Sequence, residues 1–191
     1  MVVHEALARP RVGLLGNPSD LYGGRVLGFT FDDFAARARV EPARRTSVIG
    51  PGGQEAEVED LESLRPTARD GGCQLLAAAL RRLAAAAPGR VDPAARPFQL
   101  WTATDIPRQV GLAGSSALVV AALRALARWF DVPLQPFDVS ELALAAESIE
   151  LGTVAGPQDR VLQAYEGVLF MDFREPREPG RYQRLVPASL P

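Results

Sequence analysis

The 191-residue sequence contains no lysine, so all 21 of its basic residues are arginine. A Walker-type phosphate loop ends in Gly-Lys-Ser or Gly-Lys-Thr, and the absence of lysine excludes that class of site. The chain has a single cysteine, Cys73, which excludes a disulfide framework and a cysteine-ligated metal cluster. Long apolar runs are also absent, because Arg124 and Arg128 interrupt the segment ALVVAALRALARWF. We therefore expect no membrane span.

Charge is nearly balanced, with 21 basic and 23 acidic residues and a net charge of −2. A strongly basic face is the usual sign of a nucleic-acid or anionic-membrane partner, so the composition predicts neither partner. The first ten residues, MVVHEALARP, lack the basic segment and the apolar run of a secretory signal peptide. We therefore expect a cytoplasmic protein whose N-terminus, including His4, is loosely ordered and takes no part in catalysis.

The hydrophobic pattern changes between strand-like and helix-like periods along most of the chain. Short apolar or alternating runs bounded by turn residues predict strands at 11–16, 25–31, 34–40, 97–105 and 168–173. Longer apolar segments predict helices at 71–89, 115–130, 138–152 and 156–167, with a turn-rich break at 47–55. This order indicates one mixed α/β (α+β) domain over residues 1–173, followed by a proline-rich tail or linker at 174–191.

The segment RQVGLAGSSALVVAAL, residues 108–123, places glycines and serines directly before an apolar helix. Glycine permits backbone conformations that other residues avoid, and the first N–H groups of a helix have no intrahelical partner. A glycine loop before a helix therefore predicts an anion site, most simply for phosphate. The spacing does not fit the G-x-G-x-x-G loop of dinucleotide-binding proteins. An ordinary helix start capped by serine is the alternative at this point.

The longer segment IPRQVGLAGSSA resembles the second motif of the GHMP kinases (galactokinase, homoserine kinase, mevalonate kinase and relatives), which is close to P-x-x-x-G-L-x-S-S-A. In that family the loop wraps the phosphates of ATP, and a serine hydroxyl reaches the Mg²⁺ ion. The resemblance implies that Ser115 contacts phosphate and that Ser116 contacts the metal. The implied phosphate loop consists of Gly111, Leu112, Ala113, Gly114, Ser115, Ser116 and Ala117.

The segment RVGLLGNPSDLYGG, residues 11–24, is similar to the first motif of the family, which in galactokinases runs R-V-N-L-I-G-E-H-T-D-Y-x-x-G. Asn17, Ser19 and Asp20 form a polar cluster suited to binding sugar hydroxyls, and the alternative for Asp20 is that it caps its own loop. The Glu-His pair that touches the sugar in galactokinases is replaced here by Asn17 and Pro18, which argues against galactose as the substrate. Arg11 is implied to stabilise a catalytic carboxylate and the negative charge of the transferring phosphoryl group.

The segment AESIELGTVAGPQDR, residues 146–160, resembles the A-E-x-x-x-x-G-x-x-x-G-x-x-D segment of the family. The resemblance implies that Glu147 binds Mg²⁺ and that the catalytic carboxylate, Asp159, lies at the hydroxyl group to be phosphorylated. A guanidinium group can hold a carboxylate through two parallel hydrogen bonds. Arg108 and Arg160 are therefore both candidates for binding the carboxylate of a sugar acid, and the sequence does not choose between them.

Within the family, the stretches GNPSDLYGGR, TDIPRQVGLAGSSA, AESIELGTVAGPQDRV and YEGVLFMDF are most similar to those of glucuronokinases. The resemblance implies transfer of phosphate from Mg²⁺-ATP to D-glucuronate, giving ADP and glucuronate 1-phosphate. It also implies a two-layer α/β fold like the second domain of ribosomal protein S5. The alternatives are a kinase for another sugar, such as galactose or arabinose, and a catalytically silent protein that binds a sugar or a nucleotide.

Members of the family carry a third glycine-rich motif in a C-terminal domain, and no such motif follows VLFMDF in this sequence. The resemblance thus implies that these 191 residues are one half of a split enzyme or a fragment of a longer one. We expect the chain to need a separate C-terminal GHMP domain for full activity, because closure of a second element excludes water from the transfer site.

Overall fold

The computed structural model of the chain describes residues 2–59 and 71–185. Its elements in chain order are β1 (His4–Ala8), β2 (Arg11–Leu15), β3 (Arg25–Thr30), β4 (Ala36–Pro42), β5 (Ser47–Ile49), β6 (Glu55–Glu57), α1 (Gly71–Ala86), β7 (Phe98–Thr104), α2 (Gly114–Trp129), α3 (Pro136–Ala145), α4 (Gln158–Tyr165), β8 (Val168–Asp172) and β9 (Tyr182–Leu185). A π-helical turn, Ala146–Glu150, continues α3, and short 3-10 turns lie at Ser19–Tyr22 and Pro179–Arg181.

The strands form two sheets. The first sheet has the order β1-β4-β7-β5-β6 and is antiparallel except for the parallel pair β5 and β7. The second sheet has the order β2-β3-β8-β9 and is antiparallel throughout. The chain passes from the first sheet to the second between Ala8 and Arg11, so the start of β2 lies where the two sheets approach each other.

The first sheet buries one face against helices α1 and α2. In β4 the side chains of Ala36, Ala38 and Val40 are buried, whereas Arg37 and Arg39 point to solvent, which is the alternation that a half-buried strand requires. Helix α2 is buried on nearly all sides, from Ser116 to Ala127, because it contacts β1, β4, α1, α3 and α4. Its first turn therefore begins at the surface, with Ser115 exposed, and enters the core at Ser116.

The second sheet packs on α4 through a smaller core made of Val26, Val161, Leu162, Leu169, Met171, Phe173 and Tyr182. Helix α4 also contacts α2, which packs on the first sheet, so α2 and α4 lie between the two sheets. Gly28 in β3 permits this close packing, because a Cβ atom at that position would lie 2.7 Å from Leu162 Cδ1. The predicted mixed α/β class is confirmed.

Three local predictions differ from the structure. Residues 4–8 form the edge strand β1 rather than a loose N-terminus, and the His4 ring packs edge-on against Trp129 with centroids 6.0 Å apart. The break predicted at 47–55 contains two short strands that flank a turn. The helix predicted at 138–152 ends earlier as an α-helix and finishes as the π-helical turn. In each case tertiary pairing or packing overrides the local pattern.

The segment predicted as a tail, 174–191, is partly ordered. Tyr182–Leu185 pairs with β8, and the Tyr182 side chain is buried among Phe137, Tyr165 and Phe173. The expectation of an irregular tail is therefore wrong for this strand, whereas residues 186–191 lie outside the described residues. The domain boundary placed after residue 173 stays a prediction.

Among the helices of residues 2–59 and 71–185, none combines the length and the hydropathy that crossing a bilayer requires.

Candidate active site

The predicted phosphate loop runs from residue 111 into the first turn of α2. Ala113 precedes this helix with left-handed backbone angles, φ 57° and ψ 44°, and no side chain caps the helix start. Gly111 has φ +77°, and no atom lies within 4 Å of the place where its Cβ would be. The serine-capped alternative is therefore absent from the structure. The first N–H groups of a helix have no intrahelical partner, and no side chain caps them here, so this helix start is suited to binding an anion such as phosphate.

Ser115 and Ser116 have different surroundings. Ser115 is exposed at the start of α2, whereas Ser116 is buried. The Ser116 hydroxyl lies 3.1 Å from Oε2 and 3.3 Å from Oε1 of Glu147, so it donates a hydrogen bond to that carboxylate. The structure thus brings the two predicted metal ligands together beside the phosphate loop.

Glu147 belongs to the π-helical turn, and it is only 4% exposed. A buried carboxylate requires a cation or several hydrogen-bond donors, because desolvation of an unpaired charge is costly. Arg160 meets this requirement: its Nε lies 2.6 Å from Glu147 Oε2, and its Nη2 donates to the same oxygen. The remaining Arg160 nitrogen, Nη1, donates to the Gly156 carbonyl at 2.7 Å. Arg160 therefore faces Glu147 and is buried.

Asp159, in the first turn of α4, lies between two arginines. The Arg11 Nε donates to Asp159 Oδ1 at 2.6 Å, and Arg160 Nη1 lies 3.8 Å from Oδ2. Arg11 Nη1 also donates to the Gly111 carbonyl at 2.8 Å. Arg11 therefore joins the phosphate loop to this carboxylate, although 148 positions separate Arg11 from Asp159 in the sequence.

Asp20 and Asn17 meet at Gln158, the residue before Asp159. The Gln158 side chain donates to Asn17 Oδ1 at 2.5 Å and to Asp20 Oδ1 at 3.1 Å, and its backbone N–H donates to Asp20 Oδ2 at 3.2 Å. Sequence reasoning did not identify Gln158 as part of the site. Its place in the first turn of the helix that carries Asp159 was the available signal.

Two predicted sugar-binding residues are placed differently. The Ser19 hydroxyl donates to the Arg25 carbonyl at 3.1 Å, and a Cβ atom at Gly24 would overlap the Ser19 side chain, so Ser19 holds its own loop together. Arg108 is exposed on the loop before the glycines. Asn17 and Asp20 therefore stand at the site with Gln158, whereas the Ser19 hydroxyl is engaged with the backbone.

Burial raises the pKa of Asp20 above its ordinary value of 3.8, and the negative charge of Asp159 adds to the effect. The hydrogen bond from the Gln158 backbone opposes this shift without cancelling it. The folded protein therefore binds a proton at Asp20 more tightly than the unfolded chain does. Between pH 3.8 and the raised pKa, the contribution of Asp20 to stability falls as the pH rises.

This linkage predicts how the variant Asp20→Asn differs from the wild type. The free energy of unfolding of the variant, relative to that of the wild type, should increase as the pH is raised from about 3 to 7. Denaturant titrations at several pH values measure this difference. A constant difference across that range would contradict the raised pKa.

Comparisons with known proteins agree with this geometry. The family model for the GHMP kinases N terminal domain matches residues 74–167. Glucuronokinase 1 from Arabidopsis thaliana is 37% identical over 185 residues, which cover 90% of this chain and 49% of that protein. The chain thus spans about half the length of the curated relatives it matches.

Solved structures give the same family. A D-glycero-D-manno-heptose 1-phosphate kinase from Bacteriodes thetaiotaomicron superposes with a TM-score of 0.76 and 27% identity, over 91% of this chain and 56% of that chain. A Lactococcus lactis galactokinase superposes with a TM-score of 0.80 over 95% of this chain and 46% of that chain; at 17% identity, it shows the shared fold alone. The resemblance predicted from the motifs is confirmed. Residues 74–167 of this chain thus match the N-terminal domain of the GHMP kinase family.

Proposed function

We propose that this chain is the nucleotide-binding part of an ATP-dependent sugar 1-kinase that converts D-glucuronate and ATP to glucuronate 1-phosphate and ADP. One observation carries the proposal: the phosphate loop, the Ser116–Glu147 pair and the Arg11–Asp159 pair meet at one place, although they come from separate segments. The curated relatives named glucuronokinase support the choice of sugar.

Phosphoryl transfer requires positioning and charge stabilisation more than covalent chemistry. Backbone N–H groups at the start of α2, with the exposed Ser115 hydroxyl, would hold the phosphates of ATP. Asp159 would accept the proton of the anomeric hydroxyl or hold that hydroxyl in line with the terminal phosphate. Arg11, fixed by Asp159 and the Gly111 carbonyl, would stabilise negative charge on the transferring group.

Mg²⁺ fits the residues present. Glu147 and Ser116 offer a carboxylate and a hydroxyl side by side, and Mg²⁺ is commonly held by one or two carboxylates together with phosphate and water oxygens. Within residues 2–59 and 71–185, no group of three or more His, Cys, Asp or Glu side chains is arranged to hold an ion. Nucleotide phosphates would therefore complete the coordination. When bound, Mg²⁺ neutralises charge that develops on the phosphates.

Asn17 and Asp20 are proposed to bind sugar hydroxyls, with Gln158 fixing both. The guanidinium of Arg160 is already bonded to Glu147 and Gly156, which favours Arg108 as the partner of the glucuronate carboxylate. Ser19 would support this loop from behind through its bond to the Arg25 carbonyl.

A second domain is proposed to cover the site. Among the described residues, six large apolar side chains, each more than half exposed, lie on the segments that carry the site residues: Leu14, Leu15, Tyr22, Val110, Ile149 and Val154. A cluster of exposed apolar groups is typical of an interface. The occupant we propose is the C-terminal half of the enzyme, because the matched relatives are about twice as long as this chain.

A coupled ADP-release assay tests the proposed reaction. The chain joined with the C-terminal half should release ADP with glucuronate much faster than with galactose or arabinose, whereas the 191-residue chain alone should show little activity. Nucleotide binding without sugar-dependent ADP release in the joined form would favour the silent binding protein. Faster release with galactose would overturn the choice of sugar, and full activity of the chain alone would remove the need for the second domain.

The variant Ser116→Ala tests the metal role. Loss of the hydroxyl should weaken ATP binding by about tenfold when Mg²⁺ is present and by much less when EDTA is present, since the lost contact acts through the metal (a tenfold loss corresponds to ~1.4 kcal/mol). Isothermal titration in the two buffers measures the difference. Ser148→Ala is the matched control, because that hydroxyl only donates to the Leu144 carbonyl. Equal losses with and without Mg²⁺ would refute the assignment.

A further inference from the structure

Arg160 and Glu147 form a buried ion pair at the candidate metal site. Their side chains are 6% and 5% exposed. Two nitrogens of Arg160 donate to one carboxylate oxygen, Oε2, whereas the other oxygen, Oε1, receives no bond from Arg160. The Ser116 hydroxyl lies beside both oxygens, 3.1 Å from Oε2 and 3.3 Å from Oε1. The charge that a metal ion would neutralise is thus already neutralised within the protein.

Three bonds hold the Arg160 guanidinium in this orientation. Two run to Glu147, and the third runs from Nη1 to the Gly156 carbonyl. A planar guanidinium can satisfy all three directions at once, which a lysine ammonium on a flexible stem does less well. Arg160 also follows Asp159 directly in α4, so the position of the helix that carries Asp159 is coupled to the carboxylate of Glu147.

We infer that Arg160 is an internal counter-cation for Glu147, a positioning residue that makes binding of a divalent metal at Glu147 depend on the phosphates of a bound nucleotide. This inference rests on the proposed function. A free metal ion meets a carboxylate whose charge is already balanced, and it is repelled by the guanidinium a few ångströms away. A nucleotide brings enough negative charge to offset that repulsion. The metal therefore enters with the nucleotide and does not occupy the site alone.

The test measures metal binding directly, without any reaction. Free Mn²⁺ gives an electron paramagnetic resonance signal that disappears on binding. The wild-type chain should bind Mn²⁺ weakly alone and tightly with a non-hydrolysable ATP analogue. Arg160→Gln removes the counter-charge and should bind Mn²⁺ without nucleotide at least about tenfold more tightly than the wild type. Arg160→Lys keeps the positive charge, so its affinity for Mn²⁺ without nucleotide should remain close to that of the wild type.

Two controls separate this role from a general structural one. Val161→Ala loosens the same helix in the core of the second sheet without touching Glu147, and it should bind Mn²⁺ as the wild type does. The double variant Glu147→Gln with Arg160→Gln lacks the carboxylate and should lose the nucleotide-independent binding. Unchanged Mn²⁺ affinity in a folded Arg160→Gln variant, or tight binding by the wild type without nucleotide, would overturn the inference.

Arg160→Gln leaves a buried, unpaired carboxylate, so its folding must be followed by circular dichroism in EDTA and in Mn²⁺. If the variant unfolds in EDTA, the inference predicts that Mn²⁺ restores its structure and that the double variant folds without metal. The inference would be contradicted if Arg160→Gln stayed unfolded in Mn²⁺ and the double variant stayed unfolded without metal. Since neither sugar nor turnover enters these measurements, a negative result here is distinct from a failure of the proposed reaction in the ADP-release assay.

Discussion

Replacing Asp159 by Asn is expected to lower kcat for sugar phosphorylation by about 10³-fold or more, while ATP affinity stays within about twofold of the wild type. The amide is nearly the same size as the carboxylate, so the first turn of α4 should keep its shape. An amide does not accept the proton of the sugar hydroxyl, and it pairs less strongly with the charge of Arg11, which donates to Asp159 at 2.6 Å. The loss should therefore fall on the transfer step.

Steady-state rates measure kcat, and nucleotide titrations measure the affinity for ATP. Both are made on the chain joined with the C-terminal half. Asp131→Asn is a matched control, because the Asp131 carboxylate lies on the surface beyond the far end of α2, where it accepts a hydrogen bond from Arg96 at 3.0 Å. Its positive φ of 54° also suits asparagine. Near-normal turnover of Asp159→Asn would remove Asp159 from the mechanism.

Gly156→Ala is expected to raise the KM for the sugar by about tenfold or more, with a smaller effect on the KM for ATP. The added Cβ would overlap Asp20 Oδ2. The Asp20 carboxylate is buried and accepts two hydrogen bonds from Gln158, so it cannot move away without breaking them. Displacing a bound group by as little as ~1 Å can change catalysis by about 10²-fold. The effect should thus appear at the end of the site that we assign to the sugar.

Gly180→Ala is the control for this substitution, since no atom lies within 4 Å of the place where its Cβ would be. Initial rates at varied sugar and at varied ATP separate the two Michaelis constants. A larger increase in the KM for ATP than for the sugar would show that Asp20 and Gly156 belong to the nucleotide end of the site, contrary to the assignment.

The long helices and the inner strands could be predicted from the sequence because their local pattern and their tertiary role agree. Helix α2 is apolar almost throughout and is buried almost throughout, and β4 alternates in the sequence as it does in the sheet. Strand β9 could not be predicted. Its residues, YQRL, carry little apolar signal, and they are ordered because β8 offers hydrogen-bond partners and a pocket for Tyr182.

The candidate site likewise has features that the sequence predicts and features that only the tertiary structure decides. The sequence by itself determined which residues are candidates for the proposed chemistry, since the glycine loop, Glu147 and Asp159 stand out through their resemblance to the family motifs. Only the tertiary structure decided what each side chain faces. Arg160 was a candidate for the substrate in the sequence, and folding instead turns it toward Glu147, because a buried carboxylate requires a neighbouring cation. Such long-range pairing depends on which segments pack together, and local spacing does not encode it.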